Sequence, residues 1–272
     1  MNLRLITSDL EGHPTPRLDF IDFATGSLGQ GLANAAGIAY SMKFFEGRHT
    51  KVYTLVGDGE LAEGSNWEAI HFASHYKLDN FIGIVDCNRL GQSDPTSLQH
   101  HLETYEARFK AFGSYTQVVD GHNVEELAEA LRNAQNHTEG PSFIIAKTFK
   151  GKNCIEGIED SVSWHGKPLG THSAKNIEHI RSLIKNPHVK LVPRAPEIEE
   201  QKEEPIVHSV GELHYKQGDK MSTRLAFGNV LKKLGDKDKR IIGVDGDVKN
   251  STFTIKLKEA HGDQFIDCFI AE

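Results

Sequence analysis

The chain reads as an α/β protein: a doubly wound, mostly parallel sheet covered by helices, then a linker, then a truncated second α/β domain. Three observations carry that reading. Apolar strand-like runs alternate with helically spaced segments across residues 18–149, and such alternation means parallel strands joined by crossover helices. A stretch with four prolines and an acidic run interrupts the pattern at 186–218. Two more helices and two more strands then follow before residue 272.

The elements fall in order. Helical spacing predicts a first helix over 27–45, and the apolar run 52–56 predicts a buried strand. Residues 61–76 place Leu61, Trp67, Ile70 and Phe72 at helical intervals, and the run 81–85 gives the next strand. Strand, helix and strand in that order make a parallel βαβ unit. Further helices are predicted over 98–112 and 124–136, with strands over 115–119 and 142–148. A loop over 150–169 leads to a helix at 173–185, so the first domain spans 1–185 and the linker 186–218. The run Glu197-Ile198-Glu199-Glu200-Gln201-Lys202-Glu203-Glu204 is most simply a solvated tether. The second domain, 219–272, carries helices over 222–234 and 253–261 and strands over 240–244 and 264–270.

Composition excludes several classes. A formal charge of −7 and a pI near 6.1 leave no basic face for nucleic acid. No run of 18 apolar residues argues for a membrane span, and the opening Met1-Asn2-Leu3-Arg4 is not signal-like. Cys87, Cys154 and Cys268 are odd in number and scattered, which favours reduced thiols in a cytoplasmic protein.

Asp58 and Asn88 carry the chemistry. Asp58 sits in Gly57-Asp58-Gly59-Glu60 after one strand, and Asn88 in Asp86-Cys87-Asn88-Arg89-Leu90-Gly91-Gln92 after the next. Both therefore emerge at the carboxyl ends of neighbouring parallel strands, the usual ligand crevice of such sheets. Alone, Gly57-Asp58-Gly59 would be only a tight turn; an Asn at the matching place after a second strand shifts the weight to a ligand pair. A carboxylate and an amide oxygen, with glycines that let the backbone close in, suit a hard divalent cation shared with a diphosphate, magnesium best of all. Thr25-Gly26-Ser27-Leu28-Gly29-Gln30-Gly31 precedes a helix, and glycines at a helix N-terminus let backbone N–H groups approach an anion.

Gly-Asp-Gly followed about thirty residues later by Asn resembles the motif of the thiamine diphosphate enzymes. Further blocks narrow the resemblance: Glu11-Gly12-His13-Pro14, the stretches 24–31, 57–69 and 88–95, Ser163-Trp164-His165-Gly166-Lys167-Pro168, and the stretch 245–253. Together they resemble the transketolase family, in its animal-type branch, over essentially the whole chain. The resemblance implies a thiamine diphosphate-binding fold, a homodimer, and transfer of a two-carbon ketol unit from a ketose phosphate such as xylulose 5-phosphate to an aldose phosphate such as ribose 5-phosphate. It implies magnesium, with calcium or manganese as substitutes, held by Asp58, Asn88 and the main-chain carbonyl of Leu90. Gly26, Ser27 and Leu28 would line the cofactor, Gly59 and Gln92 would lie close to it, and Lys150 and His165 would stand by the diphosphate and the reaction centre. His13 would face the aminopyrimidine and the donor sugar. Arg224 and Ser251 would bind substrate phosphate, Asp247 the sugar hydroxyls, and Glu272 would hydrogen-bond the aminopyrimidine ring. One departure is Asn153-Cys154 after Gly151-Lys152, where the family carries a glycine.

Against the family pattern the chain starts inside the diphosphate-binding domain and stops inside the pyrimidine-binding domain. The expectation is an internal piece of such an enzyme that is inactive alone. The alternatives are a non-catalytic truncated isoform binding a full-length partner, or a related thiamine diphosphate enzyme of the deoxyxylulose-phosphate or dihydroxyacetone synthase type.

Overall fold

A computed structural model describes residues 3–155, 157–186, 188–190, 192 and 210–271. Its contacts divide the chain into two compact units, Met1–His188 and Val189–Glu272. In the first, strands β1 (Val52–Gly57), β2 (Phe81–Cys87), β3 (Tyr115–Asp120) and β4 (Ser142–Lys147) form one sheet in the order β1-β2-β4-β3. Every neighbouring pair is parallel. Helices α1 (Gly31–Tyr40), α2 (Gly64–His75), α3 (Leu102–Ala111), α4 (Val124–Asn136) and α5 (Ser173–Leu183) accompany it.

The central strands explain their own composition. Parallel strands covered on both faces need uninterrupted apolar runs, and Phe81, Ile82, Val85, Phe143, Ile144 and Ile145 are all fully buried. Edge strand β1 instead alternates, with Val56 buried and Tyr53 and Leu55 exposed. The ring of Phe143 stacks on Phe109 at 4.5 Å between centroids and meets Phe81 edge-on at 5.8 Å. It fills the space beside Gly83, where an added Cβ would lie 2.2 Å from the ring.

Helix α4 occupies the bounds expected from the sequence because its start is well marked. The Asn123 side chain accepts from the backbone N–H groups of Glu125 and Glu126 at 3.1 and 3.3 Å. Its inner face, Ala130 and Ala134, packs on Ile82 and Ile144. The helix expected over 27–45 begins later, at Gly31, because Gly26 (φ +108°) and Gly29 (φ +84°) hold the preceding turn out of helical conformation. Its last turn, Ser41–Phe45, widens to a π-turn closed by Glu46 N–H donating to the Ser41 carbonyl at 3.0 Å. The helix expected over 98–112 also begins later, at Leu102, after Gln99 takes φ +45°.

In the second unit, α6 (Thr223–Gly235) is capped by Ser222, whose hydroxyl accepts from Leu225 N–H at 3.4 Å. Strands β5 (Gly243–Asp245) and β6 (Phe265–Asp267) pair in parallel. Both are shorter than the runs 240–244 and 264–270. Phe269 and Ile270 enter the left-handed region at φ +57° and +70°, which ends the second strand early. The helix expected over 253–261 is α8 (Ile255–Ala260), which begins later because Phe253 takes φ +62°, and a short helical turn that the sequence did not suggest, α7 (Lys249–Thr252), precedes it. No helix among the described residues is long and apolar enough to cross a membrane.

Cys87, at the end of β2, is fully buried, its thiol donating to the Gln99 carbonyl at 3.4 Å. Burial, then the charges of Asp58 and Asp86, push the thiol up to about 12. Since the thiolate is the reactive form, a disulfide-exchange reagent at mildly alkaline pH is expected to titrate partly exposed Cys154 first, Cys268 more slowly because burial and the Asp267 and Asp245 charges raise its thiol as well, and Cys87 only in denaturant. Three fast thiols in the folded chain would contradict this packing.

Candidate active site

Two turns meet at the carboxyl edge of the first sheet. The register of β1 on β2 sets Gly57 beside Asp86, so Asp58 leaves the sheet next to the turn that carries Asn88. The Asp58 carboxylate is 4% exposed. It accepts from Gly59 N–H at 3.0 Å through Oδ1, and from Arg89 N–H at 2.9 Å and the Thr96 hydroxyl at 3.0 Å through Oδ2. Asn88, 8% exposed, accepts from Leu90 N–H at 3.1 Å through Oδ1 and donates through Nδ2 to Asp86 Oδ2 at 2.9 Å. The other Asp86 oxygen takes the Thr148 hydroxyl from the end of β4. Gly59 leaves 3.4 Å between an added Cβ and the Thr96 methyl, and Gly91 N–H closes the turn carrying the exposed Gln92 by donating to the Asp94 carbonyl at 2.9 Å.

Burial raises the Asp58 pKa above its ordinary 3.8, with a smaller push from Asp86. Hydrogen bonds from Thr96, Arg89 and Gly59 oppose the rise, and no side-chain cation does. A carboxylate has about four lone-pair sites and an amide oxygen two, so Asp58 and Asn88 each keep capacity after the bonds described. This all-oxygen set fits a hard cation such as magnesium. Among the described residues no group of three or more His, Cys, Asp or Glu could hold a metal. An ion here would therefore draw further oxygens from the Leu90 carbonyl, from solvent or from a bound diphosphate.

The glycine turn is tied to the same corner. Gly26 lies against the imidazole of His13, which an added Cβ would meet at 2.9 Å. Ser27 is exposed and Leu28 stands 62% exposed. Gly29 is fixed from both sides: the Ser65 hydroxyl donates to its carbonyl at 2.8 Å, and its N–H donates to Glu60 Oε1 at 3.0 Å. The second Glu60 oxygen accepts from Gly57 N–H at 3.2 Å. Glu60 thus joins the glycine turn to the residue before Asp58 and consumes one of the N–H groups expected to face an anion. Neither spacing nor periodicity points to this role, since Gly29 is 31 residues away.

The loop after β4 brings Lys150 and His165 together, Nζ to Nδ1 at 3.0 Å. Asn153 adopts φ +65°, a conformation Asn tolerates better than most residues with a Cβ. Its N–H donates to Glu159 at 2.8 Å, and Lys152 pairs with the same carboxylate at 3.0 Å.

The second unit holds the remaining described residues. Asp245 organises the turn after β5: Oδ1 accepts from Val248 and Lys249 N–H at 2.7 and 3.0 Å, and Oδ2 from the Thr254 hydroxyl at 3.0 Å. Asp247 is exposed in that turn, and the Ser251 hydroxyl donates to the Val248 carbonyl at 3.1 Å. The Arg224 guanidinium lies over the Phe253 ring, 5.8 Å from its centroid. Glu272 lies outside the described residues.

A family model described as the transketolase thiamine diphosphate binding domain matches residues 1–205, and one described as the transketolase pyrimidine binding domain matches 219–272. The chain belongs to the transketolase family. Human transketolase is 50% identical over 279 residues, covering 100% of this chain and 43% of the human protein. Bovine transketolase-like protein 1 is 45% identical over 258 residues, covering 94% of this chain and 43% of its own. The chain thus spans less than half the length of these curated relatives. Among solved structures, transketolase from Campylobacter jejuni aligns with a TM-score of 0.74 at 26% identity, over 100% of this chain and 48% of that one. A Pichia stipitis transketolase solved with xylulose 5-phosphate gives 0.72 at 21% identity, over 99% and 48%, and shows the shared fold.

Proposed function

We propose that this chain carries the diphosphate side of a transketolase site, transferring a two-carbon ketol unit between sugar phosphates in the pentose phosphate pathway, as part of a cytoplasmic homodimer. The observation that supports the reading is the hydrogen bonding that ties the Asn88 turn to Asp58, Arg89 N–H donating to Asp58 and Leu90 N–H to Asn88, in a domain matched as thiamine diphosphate-binding. Asp58, Asn88 and the Leu90 carbonyl would hold magnesium against the diphosphate. Thiamine diphosphate, when bound, supplies the nucleophilic carbon that the protein's own side chains lack. Gly26, Ser27 and Leu28 with Gly59 and Gln92 would line it, and burial of exposed Leu28 would add apolar contact. Lys150 and His165, already in contact, would orient phosphate and move protons at the reaction centre, with His13 against the donor sugar. In the pyrimidine-binding segment, proposed as 219–272 after a linker at 186–218 and a first domain at 1–185, Arg224 and Ser251 would take substrate phosphate and Asp247 sugar hydroxyls. Glu272 is assigned its cofactor contact by resemblance alone.

Calorimetric titration of the chain with thiamine diphosphate tests this: binding is expected with magnesium and is expected to vanish in chelator. Equal binding in both would remove the metal role. The raised pKa of Asp58 also fixes a pH dependence. The unliganded fold favours the protonated carboxyl, so this group's contribution to stability is full below pH 3.8 and is lost as pH rises through the raised value. A cation competes with that proton. Magnesium affinity should therefore rise with pH through an acid window above 3.8 and then level off; affinity that is flat through the window would contradict it.

A further inference from the structure

Arg89 and Asp160 are both non-glycine residues in the left-handed region, at φ +62° and +57°. Such conformations cost free energy and persist only where the surroundings over-determine them. Here they sit at the two ends of one ion pair. Arg89 Nε and Nη2 donate to Asp160 Oδ2 at 3.1 and 2.5 Å, and both side chains are half-buried. Each partner is anchored again through its backbone. Arg89 N–H donates to Asp58, and its carbonyl accepts from Thr96 N–H at 2.8 Å. Asp160 N–H donates to the Lys150 carbonyl at 2.8 Å, and Lys150 in turn touches His165. An unbroken path of hydrogen bonds therefore runs from Asp58 through one ion pair to the loop of Lys150 and His165, across 71 residues of sequence. Both guanidinium donors fall on one carboxylate oxygen. The other, Oδ1, is buried with no hydrogen-bond partner among the described residues, so the pair falls short of the two-oxygen fork that arginine and carboxylate favour.

We propose that Arg89 and Asp160 are positioning residues that couple the two loops, so that a change at Asp58 alters the order of the segment carrying Lys150 and His165. The proposal rests on the cofactor reading for its meaning in catalysis, but its test does not. In the unliganded chain, amide hydrogen exchange is followed at Asp160 and its neighbours over 157–165. Asp58→Ala, or Asp58→Asn where the alanine variant fails to fold, is expected to speed exchange at the Asp160 amide by about tenfold while Arg89 is present. In an Arg89→Met background the same change is expected to have less than about a twofold effect, because coupled sites are non-additive and independent ones are not. Equal acceleration in both backgrounds, or none with Arg89 in place, overturns the coupling. Titration of the unsubstituted chain with thiamine diphosphate and magnesium runs alongside. Binding without coupling refutes the ion pair's role alone; coupling without binding refutes the cofactor reading alone.

Discussion

Asp58→Ala is expected to lower the affinity for thiamine diphosphate with magnesium by more than about 100-fold, since even outer-shell partners of a metal are worth about 10- to 100-fold. Asp58 is the one anionic group in the proposed ligand set, which otherwise consists of neutral oxygens. Without it only neutral protein oxygens would hold a magnesium ion against the diphosphate. The substitution also strips an acceptor from Gly59 N–H, Arg89 N–H and the Thr96 hydroxyl, and unpaired buried donors cost roughly 1–3 kcal/mol each where water cannot reach them. Lost affinity in the alanine variant therefore combines a missing ligand with a loosened turn, and Asp58→Asn is the comparison that weighs the two. The amide keeps the volume and one acceptor oxygen and removes the charge, but its NH2 group faces either Gly59 N–H or Arg89 N–H, so its affinity is read together with its stability. Its fold is expected to lose the pH dependence that Asp58 contributes, with cofactor affinity still greatly reduced. Calorimetry on both variants, with thermal unfolding as control, decides it; unchanged affinity in the asparagine variant would remove Asp58 from the ligand set.

Gly83→Ala is expected to destabilise the first unit by about 1–3 kcal/mol, the range for overpacking a close-packed core. The new methyl would fall 2.2 Å from the Phe143 ring. The ring cannot swing aside, because it is stacked on Phe109 at 4.5 Å and braced edge-on by Phe81. Phe143→Leu removes ring atoms from the same space and should cost stability by leaving a void. Combined, the two changes should cost less than their sum, since each relieves the fault of the other. Denaturant unfolding of the four proteins measures the cycle. Strict additivity would mean that the ring and the glycine are not in contact.

The parts of this fold legible in the sequence are those written as local patterns. The central strands announce themselves as unbroken apolar runs because both faces are covered, and α4 starts where Asn123 can cap it. Asp58 and Asn88 stand out because they recur at matching places after two neighbouring strands, since either one alone is an ordinary turn residue. What the sequence hides are pairings across loops. Glu60 reaching Gly29 and Arg89 reaching Asp160 leave no periodicity, and their partners lie 31 and 71 residues away. The ends of β5 and β6 were likewise hidden, because Phe269 and Ile270 look like good strand residues until neighbouring backbone bends them into the left-handed region. The roles assigned to Lys150, His165, Arg224, Asp247 and Ser251 came from resemblance, since single polar residues in loops have no pattern of their own.

The strand order has a consequence for how the sheet is made on the ribosome. Strand β3 leaves the ribosome before β4, yet among the described residues its strand neighbour in the sheet is β4, which lies between β3 and β2. Residues 115–120 therefore wait for the chain to reach Lys147, roughly one to five seconds at ordinary elongation rates. Through that interval the nascent chain holds an unpaired strand next to a finished β1–β2 pair with a vacant edge. Of these four strands, the last to be synthesised is the one that joins the two halves of the sheet from within.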